Sequence, residues 1–368
     1  MFTLKKFRYV LIFITLHISG CLVEPPLNNE GISENSNAND FLAYIDQQGY
    51  YQQSAGRPPT ISAYEVYSYR SNLIILDLRS EDEFTIGHIP GAINVSPNSI
   101  LNEISTSRST SNKQVVLVCQ TGQFSSYINC LLGLYGIENI TTLEYGMASW
   151  NSKFSEIWED NCVWIYKDTT YYMNDTIIRN STASPFPSIP EIEGNSIEEK
   201  VKKRIANLLE SANTTIGKPT ENTVLFTKLN TVYNFLDYPA SGFRGFKVVC
   251  YGIENLYRLY GRTGPADTPN HPIGSLWYDI PINLNPLTRF HIQTLPNSGP
   301  LVIYSSNGLD SAYLMGLLRF LGYDAKSMLF GVNAFGYNRM LNHEDPLIRE
   351  DAFKPEDIFD LPYVTGSE

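Results

Sequence analysis

Hydrophobic and polar positions along the 368-residue chain switch between a strand period and a helix period. Val115 to Val118 is an unbroken apolar run that reads as a short buried strand, and Cys119 follows it at once. A polar turn containing Gly122 comes next. From Ser125 to Tyr135 the pattern turns helical, with Ile128, Leu131, Leu132 and Tyr135 on one face. Upstream, Leu73 to Arg79 (LIILDLR) reads as a second buried strand with Asp77 at its end. Ser80 to Val95 then holds a turn, GHIPGA, between a short helix and another extended run. Phe41, Leu42 and Ile45 mark a short helix, and Asn98 to Ser105 marks another. Ser62 with Glu65 three residues on has the form of a capping box, so a helix should open there. Strands alternating with helices predict an α/β fold, a parallel sheet with helices on both faces.

The pattern then recurs. Arg179 to Asn195, with three prolines among small polar residues, reads as an interdomain linker. Ser196, with Glu199 three residues on, caps an amphipathic helix whose apolar stripe is Ile197, Val201, Ile205, Leu208 and Leu209. Leu301 to Tyr313 (LVIYSSNGLDSAY) sets beside Val115 to Tyr127 (VVLVCQTGQFSSY). At constant offset Gly308 falls on Gly122, Ser311 on Ser125 and Tyr313 on Tyr127, while Ser305 takes the place of Cys119. Asn270-His271-Pro272-Ile273-Gly274 is a worn version of the GHIPG turn, and the poor match between Val248 and Asn270 marks an insertion.

Cys119 is the residue with a reason to be reactive. It stands at a strand's end in a loop feeding a helix N-terminus, where inward N–H groups and the helix dipole favour thiolate over thiol. The thiolate is the nucleophile. Gly122 gives the loop the freedom to turn its amides inward.

A strand ending in Asp77-Leu78-Arg79, then E-x-x-x-GHIPGA-x-N, then C-x-x-G-x-x-S, then YGMASW resembles the rhodanese family, over roughly Pro58 to Trp150. The resemblance implies two rhodanese-like domains in tandem, each a parallel sheet flanked by helices, the second degenerate. It implies a sulfurtransferase: Cys119 takes a sulfane sulfur from a small donor as a persulfide, and a thiol or cyanide-type acceptor removes it. The amides of Gln120, Thr121, Gly122, Gln123, Phe124 and Ser125 would form the binding loop, Asp77 and Arg79 a supporting pair, and His88 part of the fold turn. Ser305, Gly308 and Ser311 would be the second, inactive loop, since a hydroxyl cannot hold a transferable sulfur. Asp310 in that loop would repel an anionic donor. A serine hydrolase would need a nearby His and an oxyanion site, and His271, His291 and His343 have no telling spacing. Phe124 stands where rhodanese loops often carry Arg, which leaves the loop without a cation and disfavours thiosulfate as a tight donor. A related phosphatase would need Arg six residues after the cysteine, where Ser125 stands.

Composition narrows the setting. A net charge of −11 argues against nucleic acid as a partner. Lys5, Lys6 and Arg8 precede a short apolar core, Tyr9 to Ile18, too short to span a bilayer. Ile18-Ser19-Gly20-Cys21 looks like a lipoprotein cleavage box, which implies lipid on Cys21, a membrane anchor through lipid alone, and a bacterial cell-envelope location. Of the remaining cysteines, Cys130 reads as a small core residue, and Cys162 and Cys250 show no disulfide or zinc spacing. No cofactor or metal motif is present in the sequence. The expected organisation is a leader to residue 21, a tether over 22–39, a first domain over 40–160, a linker over 161–195, a second domain over 196–345 and a C-terminal tail over 346–368. Three functions fit: an envelope sulfurtransferase, a thiol-redox or persulfide-sensing protein using the same cysteine, and a binding protein that kept the fold without the reaction.

Overall fold

In a computed structural model, described over residues 36–49, 56–109, 112–162, 173–174, 182–232, 245–259, 271–272, 274–279 and 289–366, the apolar runs become strands of two parallel sheets. The first sheet comprises β1 (Thr60–Ile61), β2 (Leu73–Asp77), β3 (Ile93–Asn94), β4 (Gln114–Val118) and β5 (Ile140–Leu143), in the order β1-β5-β4-β2-β3. Further along come β6 (Met173–Asn174), β7 (Phe226–Thr227), β8 (Lys247–Tyr251), β9 (His271–Pro272), β10 (Leu276–Tyr278), β11 (Leu301–Tyr304) and β12 (Ala325–Met328). Five of these make a second sheet, β10-β8-β11-β12-β7, and β6 pairs with β9 in a small antiparallel ladder. With β7 set on β1, β8 on β2, β10 on β3, β11 on β4 and β12 on β5, the two strand orders are the same. Every pairing within the two sheets is parallel. Parallel strands are covered on both faces, which is why Val115 to Val118 and Leu301 to Tyr304 are continuous apolar runs rather than alternating ones. The expected α/β architecture is the one observed.

Local chemistry sets the helix starts. The Ser62 hydroxyl accepts from Glu65 N–H while the Glu65 carboxylate accepts from Ser62, a complete capping box; Ser80 and Glu83 form another at the start of Glu81–Ile86. At Ile197–Ala212 the Ser196 hydroxyl accepts from Glu199 N–H (3.1 Å), but the Glu199 carboxylate reaches back to Asn195 N–H (2.8 Å) instead. The helix expected over 98–105 runs Ile100–Arg108. The N-terminal helix is Ser36–Gln48, so residues 36–39, expected in the tether, already belong to it. Residues 1–35, including Cys21, lie outside the described residues. Among those described, no helix is long and apolar enough to cross a membrane.

Among the described residues, the two halves share the largest of three apolar clusters. The helices Gln123–Tyr135 and Leu309–Phe320 pack against each other, and Gly316 permits a very close approach. A Cβ at that position would lie 2.7 Å from Cys130 Cβ and 2.9 Å from its sulfur. The core runs without a break from Phe41 through Tyr127 and Leu314 to Phe353. Both ends of the described chain cross over. Phe41 stacks on Phe320 of the second half (5.3 Å between ring centroids). At the other end Phe359 N–H donates to Ser149 O (3.0 Å), Leu361 N–H to Trp150 O (2.8 Å), and His88 and Val364 exchange backbone hydrogen bonds. Of the segment expected as a C-terminal tail, residues 346–352 pack on the second half and residues 359–364 run as a strap along the first. The described part of the linker also packs: Phe186 lies edge-on to Tyr323, and Ile189 and Ile192 are buried.

Candidate functional site around Cys119

β4 delivers Cys119 to the C-terminal edge of the first sheet, and the following loop folds back over the sulfur. Gly122 N–H donates to Sγ at 3.1 Å and Ser125 N–H at 3.4 Å, with the Ser125 hydroxyl also 3.4 Å away. Amides converging on one atom form an anion-stabilising concavity, and the Gln123–Tyr135 helix begins at the same place. Gly122 makes the turn possible: its φ is +86°, and a Cβ there would sit 3.1 Å from Tyr145 N and 3.3 Å from Leu143 O. The other end of the loop is pinned by Met147 N–H, which donates to Cys119 O (2.9 Å).

The loop residues divide in two. Gln120, Thr121, Gln123 and Phe124 line a cleft with Cys119, and Gln123 also uses its amide to reach the second half. Its Nε2 donates to Met328 O (3.0 Å) and Gly308 O (3.3 Å), and its Oε1 accepts from Phe330 N–H (2.8 Å). Ser125 Oγ donates to Gly122 O (3.0 Å) and so braces the turn from below.

Asp77 and Arg79 form a buried fork: Nε to Oδ1 at 3.0 Å and Nη2 to Oδ2 at 2.7 Å. Arg79 Nη2 also donates to Gly87 O (2.7 Å), and Asn94 Nδ2 donates to Asp77 O and Arg79 O. The fork thus ties the end of β2 to the GHIPGA turn beside the cleft. His88 sits in that turn, stacked on Phe84 with Nδ1 3.0 Å from Phe84 O. In the second half His271 does the same, stacked on Tyr257 with Nδ1 3.1 Å from Tyr257 O.

The Ser305 loop repeats the geometry of the Cys119 loop. Ser305 Oγ accepts from Ser311 N–H (3.1 Å), and Ser311 Oγ donates to Gly308 O (3.0 Å), as Ser125 does to Gly122. Ser305 is fully buried; its hydroxyl bonds with Ser311, and among the described residues no histidine reaches it. Its mouth is occupied by Arg57, which pairs with Asp310 (2.7 Å), and by Gly56, whose carbonyl accepts from Tyr251 Oη (3.0 Å). Asp351 lies in the same cluster, bonded to Ser306 Oγ. Burial pushes its carboxyl up to about 6, against the pull of Arg57 and with the help of Asp310.

Two features of the cleft were not foreseen. Cys119 is only 3% exposed. The reason is a roof from the second half: Thr215 to Pro219, Phe226 and Leu329 close over the loop and leave about 30 Å³ free, room for one or two waters. The same roof brings Lys218 to a loop that has no cation of its own. The other described cysteines are free thiols away from the cleft. Burial raises Cys130 and Cys250, and pushes half-buried Cys162 up to about 12.

Comparison with known proteins bears on this half of the molecule. Residues 62–153 match the sequence profile of the rhodanese-like domain. An uncharacterised protein of Buchnera aphidicola subsp. Schizaphis graminum is 34% identical over 84 residues, 22% of this chain. The chain spans about half of that relative's length (54%). Among solved structures, a rhodanese-related protein from Thermoplasma volcanium is 26% identical over 25% of this chain and 89% of its own, with a TM-score of 0.23. A thiosulfate sulfurtransferase from Pseudomonas aeruginosa is 12% identical over 91% of this chain and 70% of its own, with a TM-score of 0.25. The strand–loop–helix unit that presents Cys119 lies within the stretch that matches the rhodanese-like domain profile.

Proposed function

We propose that the protein is a sulfurtransferase that carries a sulfane sulfur on Cys119, and that its second half is a rhodanese-like domain in tandem with the first that has lost the reaction. The observation that carries this reading is the sulfur of Cys119 held by two backbone N–H donors at the base of a cleft. In the first step the Cys119 thiolate attacks the outer sulfur of a donor such as thiosulfate. A new S–S bond forms, the donor's S–S bond breaks, and sulfite leaves with the bonding electron pair. In the second step an acceptor nucleophile, cyanide or a thiolate, attacks the outer sulfur and restores the Cys119 thiolate. Amides that hold the thiolate would also hold the terminal sulfur of the persulfide. Ser305, at the equivalent place, offers a hydroxyl that cannot carry this sulfur. Lipid on Cys21 and a place on the bacterial cell envelope belong to the same proposal, resting on the leader sequence.

The test is intact and peptide-resolved mass analysis of the full chain and its Cys119→Ser variant after incubation with thiosulfate, mercaptopyruvate or polysulfide. One added sulfur on the Cys119 peptide of the wild type, removed by cyanide as thiocyanate, is the expected result. A free, alkylatable Cys119 that takes sulfur from none of them would refute catalysis. The small free volume above Cys119 favours a second reading in that event, a binding protein or persulfide sensor without turnover.

A further inference from the structure

Each half sends a short segment across to the other half's loop, and the two segments share a Gly–cation–Pro pattern. Gly56-Arg57-Pro58 precedes β1, the edge strand of the first sheet, and Gly217-Lys218-Pro219 precedes β7, the equivalent edge strand of the second. Arg57 pairs with Asp310 of the Ser305 loop while Gly56 O accepts from Tyr251 at the end of β8; Gly217 and Lys218 line the cleft with Cys119, a Cβ at Gly217 falling 3.6 Å from Ser80 Cβ. Arg57 and Lys218 are thus equivalent cations, each placed over the other half's loop.

What they meet differs. Arg57 meets Asp310, whose position in the Ser305 loop corresponds to Phe124 in the Cys119 loop. The second loop's own anion is therefore neutralised by a cation from the first half, and the loop is closed. The first loop has a neutral ring at that place. Among the described residues Lys218 forms no ion pair, and its ammonium donates only to Thr214 O (3.2 Å). Of the other charged groups lining the cleft, Arg79 is committed to Asp77 and Gly87 O, and Glu83 is bonded through one carboxylate oxygen to Ser80.

We infer that Lys218 is the cation that binds the anionic group of the sulfur donor, at the place where Asp310 fills the second loop. The inference deepens the sulfurtransferase reading and rests on it for the identity of the anion as a donor. It assigns specificity for anionic donors to a residue of the second half, whose own loop is closed. Lys218 lines the cleft together with Phe124 and Cys119.

Two measurements on the full chain separate this inference from the reaction itself. Alkylation of Cys119 by anionic iodoacetate and by neutral iodoacetamide, read on the Cys119 peptide, gives a rate ratio in which the thiolate fraction cancels. Lys218→Ala should lower that ratio about tenfold, the weight of one charge-assisted hydrogen bond, and Lys218→Arg should restore it. Sulfur loading from thiosulfate should fall by a similar factor in Lys218→Ala, while loading from neutral dimethyl trisulfide stays within about twofold. An unchanged ratio, or an equal fall with both donors, would overturn the role of Lys218. A wild type that loads from neither donor while its alkylation ratio still depends on Lys218 would remove the sulfurtransferase reading and keep the anion site.

Discussion

Replacing Gln123 by leucine tests how strongly the Cys119 loop is held to the second half. The side chain makes three hydrogen bonds across the interface while 1% exposed. Its loss does not orphan every partner. Gly308 O keeps Ala312 N–H and Ser311 Oγ, and Met328 O keeps Gly331 N–H. Phe330 N–H has Gln123 Oε1 as its hydrogen-bond acceptor and would be left buried without one. An orphaned buried amide costs about 1–3 kcal/mol, and each lost bond to a still-satisfied carbonyl about 0.5–1 kcal/mol, so the sum is about 2–5 kcal/mol. With an m-value of about 3 kcal/mol per molar urea, the unfolding midpoint should drop by about 1 M. Gln120→Leu is the control from the same loop, because Gln120 Oε1 is buried with no partner among the described residues. It should leave the midpoint unchanged or raise it slightly. Equal midpoints for Gln123→Leu and wild type would refute the claim that the loop is anchored through this amide.

Two further outcomes follow from buried charge. Arg79→Ala strands the Asp77 carboxylate at 0% exposure and should cost about 3–5 kcal/mol in denaturant unfolding, whereas Asp77→Leu with Arg79→Leu should recover much of the loss; a double variant as unstable as the single would contradict the fork's role. Asp351 titrates near 6 when folded, against 3.8 ordinarily, so between those values the folded chain holds a proton the unfolded chain has lost. Stability should therefore fall as pH rises from about 4 to about 6, by about 3 kcal/mol, and Asp351→Asn should flatten that window; an unchanged slope would remove Asp351 as its source.

The first half was legible because its signals are local. The capping residues Ser62 and Glu65 are three positions apart, and the Cys119 loop runs from a strand to a helix within a few residues, so each could be read without knowing the rest. The repeat was also legible, since Leu301 to Tyr313 keeps the spacing of Val115 to Tyr127 and folds to the same strand order. What the sequence concealed was contact over long separations. Nothing in the periodicity of Thr215 to Pro219 says that it roofs a cysteine about a hundred positions earlier. The likeness of Gly217-Lys218-Pro219 to Gly56-Arg57-Pro58 was available as a signal. It carries meaning only once the two sheets are set on each other and both segments are seen to cross.

The hydrogen bonds from Phe359, Leu361 and Val364 to Ser149, Trp150 and His88 have a consequence for how the chain is made. The first half contains the reactive cysteine, but the backbone that finishes its surface is synthesised only after the whole second half. Until then Trp150, whose indole N–H donates to Pro362 O (2.9 Å), lacks that partner. Contacts closing loops of this length are slow to form and leave apolar surface open to aggregation meanwhile. Synthesis that stopped short of residue 359 would therefore yield a protein with every motif of the cysteine loop and an unfinished fold around it.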